Sequence, residues 1–270
     1  MKLATTGRIP IEMYGLIDGD IIAYRSAIAA QETWDDEIIV DSRRACRGAD
    51  KLIAEWMHGA RVSKPILTLS PKNGGNFRKV INPEYKANRK GEKPQCYAKV
   101  IDYLEQNYRV SRIEGLEADD VMGIYGTNPR LKGSVVITID KDLLTVPCKL
   151  FNPYKMKRPQ MIRPFSADHS WMIQTLMGDK TDGYSGAVGI GPKKAEAALG
   201  DCGNVAQMWK AVVALYDKKG QTEEEAILNC RMARILRVED YDTENHRVKL
   251  WGPTGHEWLD LEGEPDGTPL

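Results

Sequence analysis

Net charge is missing from this chain: 38 Lys and Arg balance 38 Asp and Glu over 270 residues. A protein that held nucleic acid by bulk charge would be basic overall, so a binder of that kind is excluded unless its cations are gathered locally. Cysteine pairing is missing too. Cys46, Cys96, Cys148, Cys202 and Cys230 contain no Cys-x-x-Cys, and the four histidines show no ligand spacing, which argues against a zinc centre. No run of eighteen apolar residues exists and the N-terminus lacks the apolar core of a signal peptide. The expectation is a reduced, soluble, cytoplasmic protein with no membrane partner. An apolar fraction of 42% is enough to bury a core for one large domain or one and a half.

What the chain does have is charge segregated by sign. Between Phe77 and Lys99 stand seven Lys or Arg against two Glu, and Lys149 to Arg163 carries five with no acid. The acids gather elsewhere: Asp18 and Asp20, the run Glu117-Ala118-Asp119-Asp120, Asp140 and Asp142, and Asp179 and Asp182. Basic stripes beside acid clusters suit a protein that grips phosphates while caging cations.

The apolar pattern places these acids. Residues 12–18 read as a strand ending on Asp18, followed by a helix over 21–30 and a second over 42–57. Pro65 to Leu69 is a continuous apolar run typical of a buried strand. A helix over 95–108, a strand over 110–113, the acidic helix over 118–125 and a strand over 134–139 follow. Strand alternating with helix implies an α/β fold with a parallel sheet flanked by helices. Ligands in such sheets bind beyond the carboxyl ends of the strands, where Asp18 and Asp140 stand. After Phe165 the chain turns helical, with Ser166-Ala167-Asp168 as a cap, a helix to Met177, Pro192 opening another, and helices over 205–216 and 223–236. The stretch beyond Trp251 reads as loose or draped over the surface.

Each acid pair alone is more often an ordinary first-turn or turn-forming acid than a functional one. Together on one rim they would repel strongly unless cations neutralise them. Carboxylates without His or Cys select Mg²⁺, with Mn²⁺ as the substitute, and two such ions form the clamp of phosphodiester hydrolysis. Lys86 and Arg89 lie three apart, on one face if that segment is helical, with Tyr85 free to stack on a base. Gly189-Ile190-Gly191-Pro192-Lys193 joins small residues to a helix start, a turn whose N–H groups suit a phosphate.

The order of these motifs, Asp18, then Tyr85-Lys86-Ala87-Asn88-Arg89, Glu117 to Asp120, Asp140-Lys141-Asp142, Gly178-Asp179-Lys180-Thr181-Asp182 and Gly189 to Lys193, resembles the flap endonuclease and 5′→3′ exonuclease superfamily, and within it the branch of small lytic podoviruses. The resemblance runs over about 14–200. It implies a PIN-like core over 1–165 with an arch over about 77–100, a helical part over 166–250 containing a helix–three-turn–helix motif, and a tail over 251–270. By the same resemblance Asp18, Glu117, Asp119, Asp120 and Asp140 serve one divalent metal and Asp140, Asp142, Asp179 and Asp182 a second. Lys86 and Arg89 act on the scissile phosphate. Arg78, Tyr85, Gly189, Gly191, Lys193 and Lys194 contact nucleic acid, with K⁺ a candidate occupant of the 189–191 turn. The implied activity is metal-dependent 5′→3′ exonuclease cleavage of duplex DNA and of RNA in RNA–DNA hybrids, in host cytoplasm if phage-encoded, with replication proteins as candidate partners. One departure stands out: an Asp usual after the strand at Pro65 to Leu69 is replaced by Ser70-Pro71-Lys72-Asn73, with Asn73 as a substitute through water. Rival readings are a structure-specific flap endonuclease, a non-catalytic DNA-structure-binding protein, and a phosphatase using Asp18-Gly19-Asp20 as nucleophile.

Overall fold

The computed structural model describes residues 13–34, 37–89 and 91–263. Strand β1 (Tyr14–Asp18) runs directly into helix α1 (Gly19–Ala29), whose first turn is capped by the Asp18 carboxylate accepting from the Ile21 N–H at 3.0 Å. A hairpin of β2 (Gln31–Trp34) and β3 (Glu37–Val40), unforeseen in the sequence, leads to α2 (Ser42–Ala60) and β4 (Lys64–Thr68). Short α3 (Phe77–Ile81) precedes α4 (Tyr97–Asn107), β5 (Val110–Ser111), α5 (Ala118–Thr127), β6 (Val135–Ile137), β7 (Lys149–Phe151) and β8 (Gln160–Met161).

These strands form a six-stranded sheet in the order β5-β4-β1-β6-β7-β8, parallel except for β8 at the edge. Both faces are covered, as the continuous apolar runs require. Leu16, Ile66 and Val136 face one core with α5, whereas Ile17, Leu67 and Ile137 face the other with α1, α2 and α4. Each fully buried Leu or Ile contributes about 1.5–3 kcal/mol. The register pairs Asp18 with Thr68, so the carboxyl ends of the central strands share one rim.

Helices α6 (Pro164–Met177), α7 (Pro192–Leu199), α8 (Val205–Lys218) and α9 (Glu223–Ala233) pack a third core around Trp171, Met208 and Tyr216. The chain ends in a small antiparallel sheet of β9 (Tyr241–Asp242), β10 (Arg247–Leu250) and β11 (Glu257–Asp260). Of the two expectations for the stretch beyond Trp251, the loose one does not hold over 257–260, which pair with β10 as an exposed edge strand; residues 264–270 lie outside the described ones.

Several boundaries also move. Helix α6 opens at Pro164, a residue suited to the first helical position, and Asp168 serves an ion pair with Arg237 at 2.7 Å instead of a cap. Helix α9 stops at Ala233, not Leu236, because residues 234–236 extend across α5: the Leu236 N–H donates to Asp120 at 3.1 Å, and a Cβ on Gly123 would stand 2.3 Å from the Leu236 carbonyl. Residues 83–88 are turns, so Lys86 and Arg89 do not share a helical face, and among the described residues no helix lies between Ile81 and Tyr97. No helix among the described residues is long and apolar enough to cross a membrane.

Candidate metal and phosphate site

A cleft of about 450 Å³ opens over the carboxyl rim, lined by Asp18, Glu117, Asp119, Asp140, Asp142, Asp179 and Asp182 together with Lys86 and Arg89. Seven of the eight expected acids and both expected cations thus meet. Asp18 ends β1. Asp140 and Asp142 follow β6 in a turn where the Asp142 N–H donates to Asp140 at 2.8 Å. Asp179 and Asp182 come from the loop after α6, where the Thr181 N–H donates to Asp179 at 2.8 Å. Glu117 and Asp119 begin α5.

The eighth acid is a correction. Asp120 is fully buried and turns away from the cleft to receive Arg78, with guanidinium contacts of 2.7 and 2.8 Å to its two carboxylate oxygens. Oδ1 also accepts from the Leu236 N–H at 3.1 Å and Oδ2 from the Glu117 N–H at 3.3 Å, so the lone pairs of Asp120 are engaged inside the protein and not offered to a metal. Arg78 is corrected with it. Only 3% exposed, it donates also to the Met232 and Arg234 carbonyls at 3.2 and 2.6 Å and stands 3.6 Å from Glu117, so its charge is spent inside the protein and not on nucleic acid. Tyr85 is buried as well, donating its hydroxyl to Glu117 at 2.8 Å, so it cannot stack on a base. Its role is to hold Glu117, and burial pushes its own hydroxyl pKa up.

Lys86 adopts φ 56°, a left-handed conformation uncommon outside glycine. Its N–H donates to the Asp182 carbonyl at 2.9 Å while its ammonium reaches Glu117. Arg89 bonds Asp182, and Asn88 donates to the Lys180 carbonyl at 2.8 Å. The 82–89 turns are therefore seated on the 179–183 loop. Gly183 permits this closeness: at φ 83° it is left-handed, and a Cβ there would lie 2.4 Å from the Glu84 carbonyl.

Electrostatics record the crowding. Burial and the neighbouring Asp20 push Asp18 up to about 7, and burial with Asp140 pushes Asp142 up to about 6. Burial followed by repulsion from Asp18 and Asp140 raises Asp119 well above the carboxylate range. Glu117 goes the other way: burial opposes its charge, but Lys86 and Arg78 outweigh that and hold its pKa low. Among the described residues no three His, Cys, Asp or Glu side chains already close round one point. The acids instead line the cleft as an open, all-oxygen donor set whose mutual repulsion divalent cations would relieve, which fits Mg²⁺ or Mn²⁺.

Sequence reasoning missed the residues that orient these acids. Thr138, fully buried, donates its hydroxyl to Asp18 at 3.1 Å and accepts from the Asp140 N–H at 3.1 Å, so one side chain fixes both. Asp20 accepts from the Ser70 N–H at 3.0 Å and the Tyr97 hydroxyl at 2.9 Å. Ser70 in turn accepts from the Ala118 N–H at 3.1 Å, tying the start of α5 to the rim. Asn73, expected to stand in for the missing acid through water, is exposed, accepts from the Gly75 N–H at 2.7 Å and does not line the cleft.

At the far end of the 178–191 loop, Gly191 caps α7 and Pro192 opens it. A Cβ on Gly191 would meet nothing within 4 Å, so the backbone there is open to approach. Lys193 and Lys194 are exposed beside it, and Lys194 donates to the Gly189 carbonyl at 3.0 Å, the position expected for K⁺. Lys219, unforeseen, brings its ammonium within 3.9 Å of a Cβ built on Gly189.

A mostly parallel sheet flanked by helices, with a cleft of carboxylates on its carboxyl rim, is a PIN-like architecture. Residues 13–163 match the family described as the 5′-3′ exonuclease, N-terminal resolvase-like domain, and the chain belongs to that family. The exodeoxyribonuclease of Enterobacteria phage T3 is 30% identical across 88% of this chain and 92% of its own length. The exonuclease of Escherichia phage T7 is 31% identical across 88% and 93%. Among solved structures, the T5 5′-exonuclease with bound zinc superposes with a TM-score of 0.58 at 19% identity, covering 82% of this chain and 88% of that one, a likeness of fold.

Proposed function

We propose that the protein is a divalent-metal-dependent 5′→3′ exonuclease acting on duplex DNA. The observation that carries this reading is the cleft itself: seven carboxylates on one rim, faced by Lys86 and Arg89. Asp18, Glu117, Asp119 and Asp140 would hold one cation and Asp140, Asp142, Asp179 and Asp182 a second. Divalent cations bound there, Mg²⁺ with Mn²⁺ as substitute, supply Lewis-acid chemistry, neutralising phosphate charge and acidifying water. The chain supplies the rest. Lys86 and Arg89, now paired with Glu117 and Asp182, turn toward a non-bridging phosphate oxygen once substrate arrives, offsetting charge as the leaving oxygen departs. The loop between α6 and α7, read as a helix–three-turn–helix element, offers the Gly191 backbone with Lys193, Lys194 and Lys219 to the duplex backbone. Such a grip reads no base edges, so the RNA strand of an RNA–DNA hybrid reaches the same cleft.

The seating of residues 82–89 on the 179–183 loop favours trimming from an end over threading of a long flap, because no described helix bridges the cleft. The reading is tested with Asp119→Asn and Asp140→Asn. Both should lose cleavage in Mg²⁺ yet retain duplex binding in EDTA. Retained cleavage in both variants would sink it.

A further inference from the structure

The acid-free stretch 149–163 plays no part in the cleft, and its cations are unclaimed. After β7 the chain turns at Asn152, whose amide donates to the Ile139 carbonyl at 3.2 Å, between Thr138 and Asp140. The loop is thus moored to the acid rim. It carries Tyr154, 56% exposed, with its ring held against Trp56 at 6.3 Å between centroids and covered by the Arg25 guanidinium at 4.8 Å. Lys155, Lys157 and Arg158 follow, all exposed. Among the described residues none of these three, nor Arg25, has an ion-pair partner. Arg25 stands two turns along α1 from Asp18, about 10 Å by helical rise. A groove lined by Asp20, Tyr24, Arg25, Glu117 and Ile139 runs from Arg25 to the acids.

Unpaired cations on a folded surface repel one another, and here a buried tryptophan and an exposed tyrosine hold one of them in place. We propose that Arg25 and the 152–158 loop, through Tyr154, Lys155, Lys157 and Arg158, form a second nucleic-acid contact that grips the substrate's phosphodiester backbone on the α1 side of the cleft. This rests on the exonuclease reading and extends it, since the α7 turn alone then no longer accounts for affinity. The substrate is clamped on both sides of the cut. Contacts of this kind act by charge and set register without reading sequence.

The test is binding of a fluorescent duplex in EDTA across a salt series. One variant combines Arg25→Ala, Lys155→Ala, Lys157→Ala and Arg158→Ala. A control with the same charge change combines Arg43→Ala, Arg47→Ala, Arg130→Ala and Lys132→Ala. The first should bind at least about tenfold more weakly and lose about 2–4 from its log–log salt slope, while the control stays near the unaltered protein. Lys157→Ala with Arg158→Ala alone, which leaves the Arg25–Tyr154 contact intact, should give about half the slope change. Equal affinity and slope in the patch variant overturn the second contact while leaving the exonuclease reading intact. An equal loss in the control overturns it as well, by reducing it to net charge. Failure of the unaltered protein to bind duplex overturns both.

Discussion

Asp119 and Asp120 are neighbours in sequence with opposite fates, because a helix turns successive side chains by about 100°. Asp119 faces Asp18 and Asp140; Asp120 faces the guanidinium of Arg78 and the Leu236 N–H. Their substitutions should separate accordingly. Asp120→Ala leaves a buried cation unpaired and should cost about 3–5 kcal/mol in chemical denaturation. Asp119→Asn replaces a buried, crowded carboxyl by a neutral amide of the same shape, so it should leave stability unchanged or raised while cleavage disappears. A stable Asp120→Ala with ordinary folding would show that Arg78 is not held as described. Thr138 offers a second contrast. Thr138→Val keeps the shape and loses both hydrogen bonds, and should weaken Mn²⁺ binding and kcat/KM roughly 10- to 100-fold, with Thr138→Ser restoring both. That acids gather on one rim was legible from their places after apolar runs. Which of them a buried arginine claims was not, because side-chain direction depends on the rotation of α5 against α3 and on the 232–236 segment.

The core elements could be read from their apolar runs, since β1, β4 and β6 are buried on both faces and α2 and α8 are amphipathic. The C-terminal sheet escaped because its strands are short and partly exposed, without the continuous apolar run that marks β6. The boundary of α9 escaped for the same reason, as its end is set by the approach of 234–236 to α5. Gly123→Ala tests that approach. Its Cβ would collide with the backbone carbonyl of Leu236, and the expected loss is about 1–3 kcal/mol, read from a denaturant midpoint. An unchanged midpoint would mean the segment yields freely. At α7, Lys193→Glu should weaken duplex binding and lower the salt slope by about 1–2, leaving the melting temperature in place. An unaltered slope would remove the turn from the duplex contact.

Across the whole molecule, the acid rim couples stability to pH and to metal. Asp18 moves from 3.8 to about 7 and Asp142 from 3.8 to about 6 on folding. In that window the folded state holds protons that the unfolded chain releases, so stability falls as pH rises. Glu117, shifted down, acts only as pH falls into the carboxylate range. In EDTA the melting temperature should therefore drop between about pH 5 and about pH 8, and Mg²⁺ should raise it most at the upper end, where protons no longer compete for the carboxylates. A Mg²⁺ effect larger at the acid end would contradict the assignment of these acids to cations. The most direct test of the molecule's function is digestion of a linear duplex labelled at its 5′ or its 3′ end, beside a covalently closed circle, in Mg²⁺ and in EDTA. A 5′→3′ exonuclease releases short 5′-labelled products first, spares the circle and stops in EDTA. Survival of the linear duplex with cutting of branched substrates alone, or release from the 3′ end first, would contradict it.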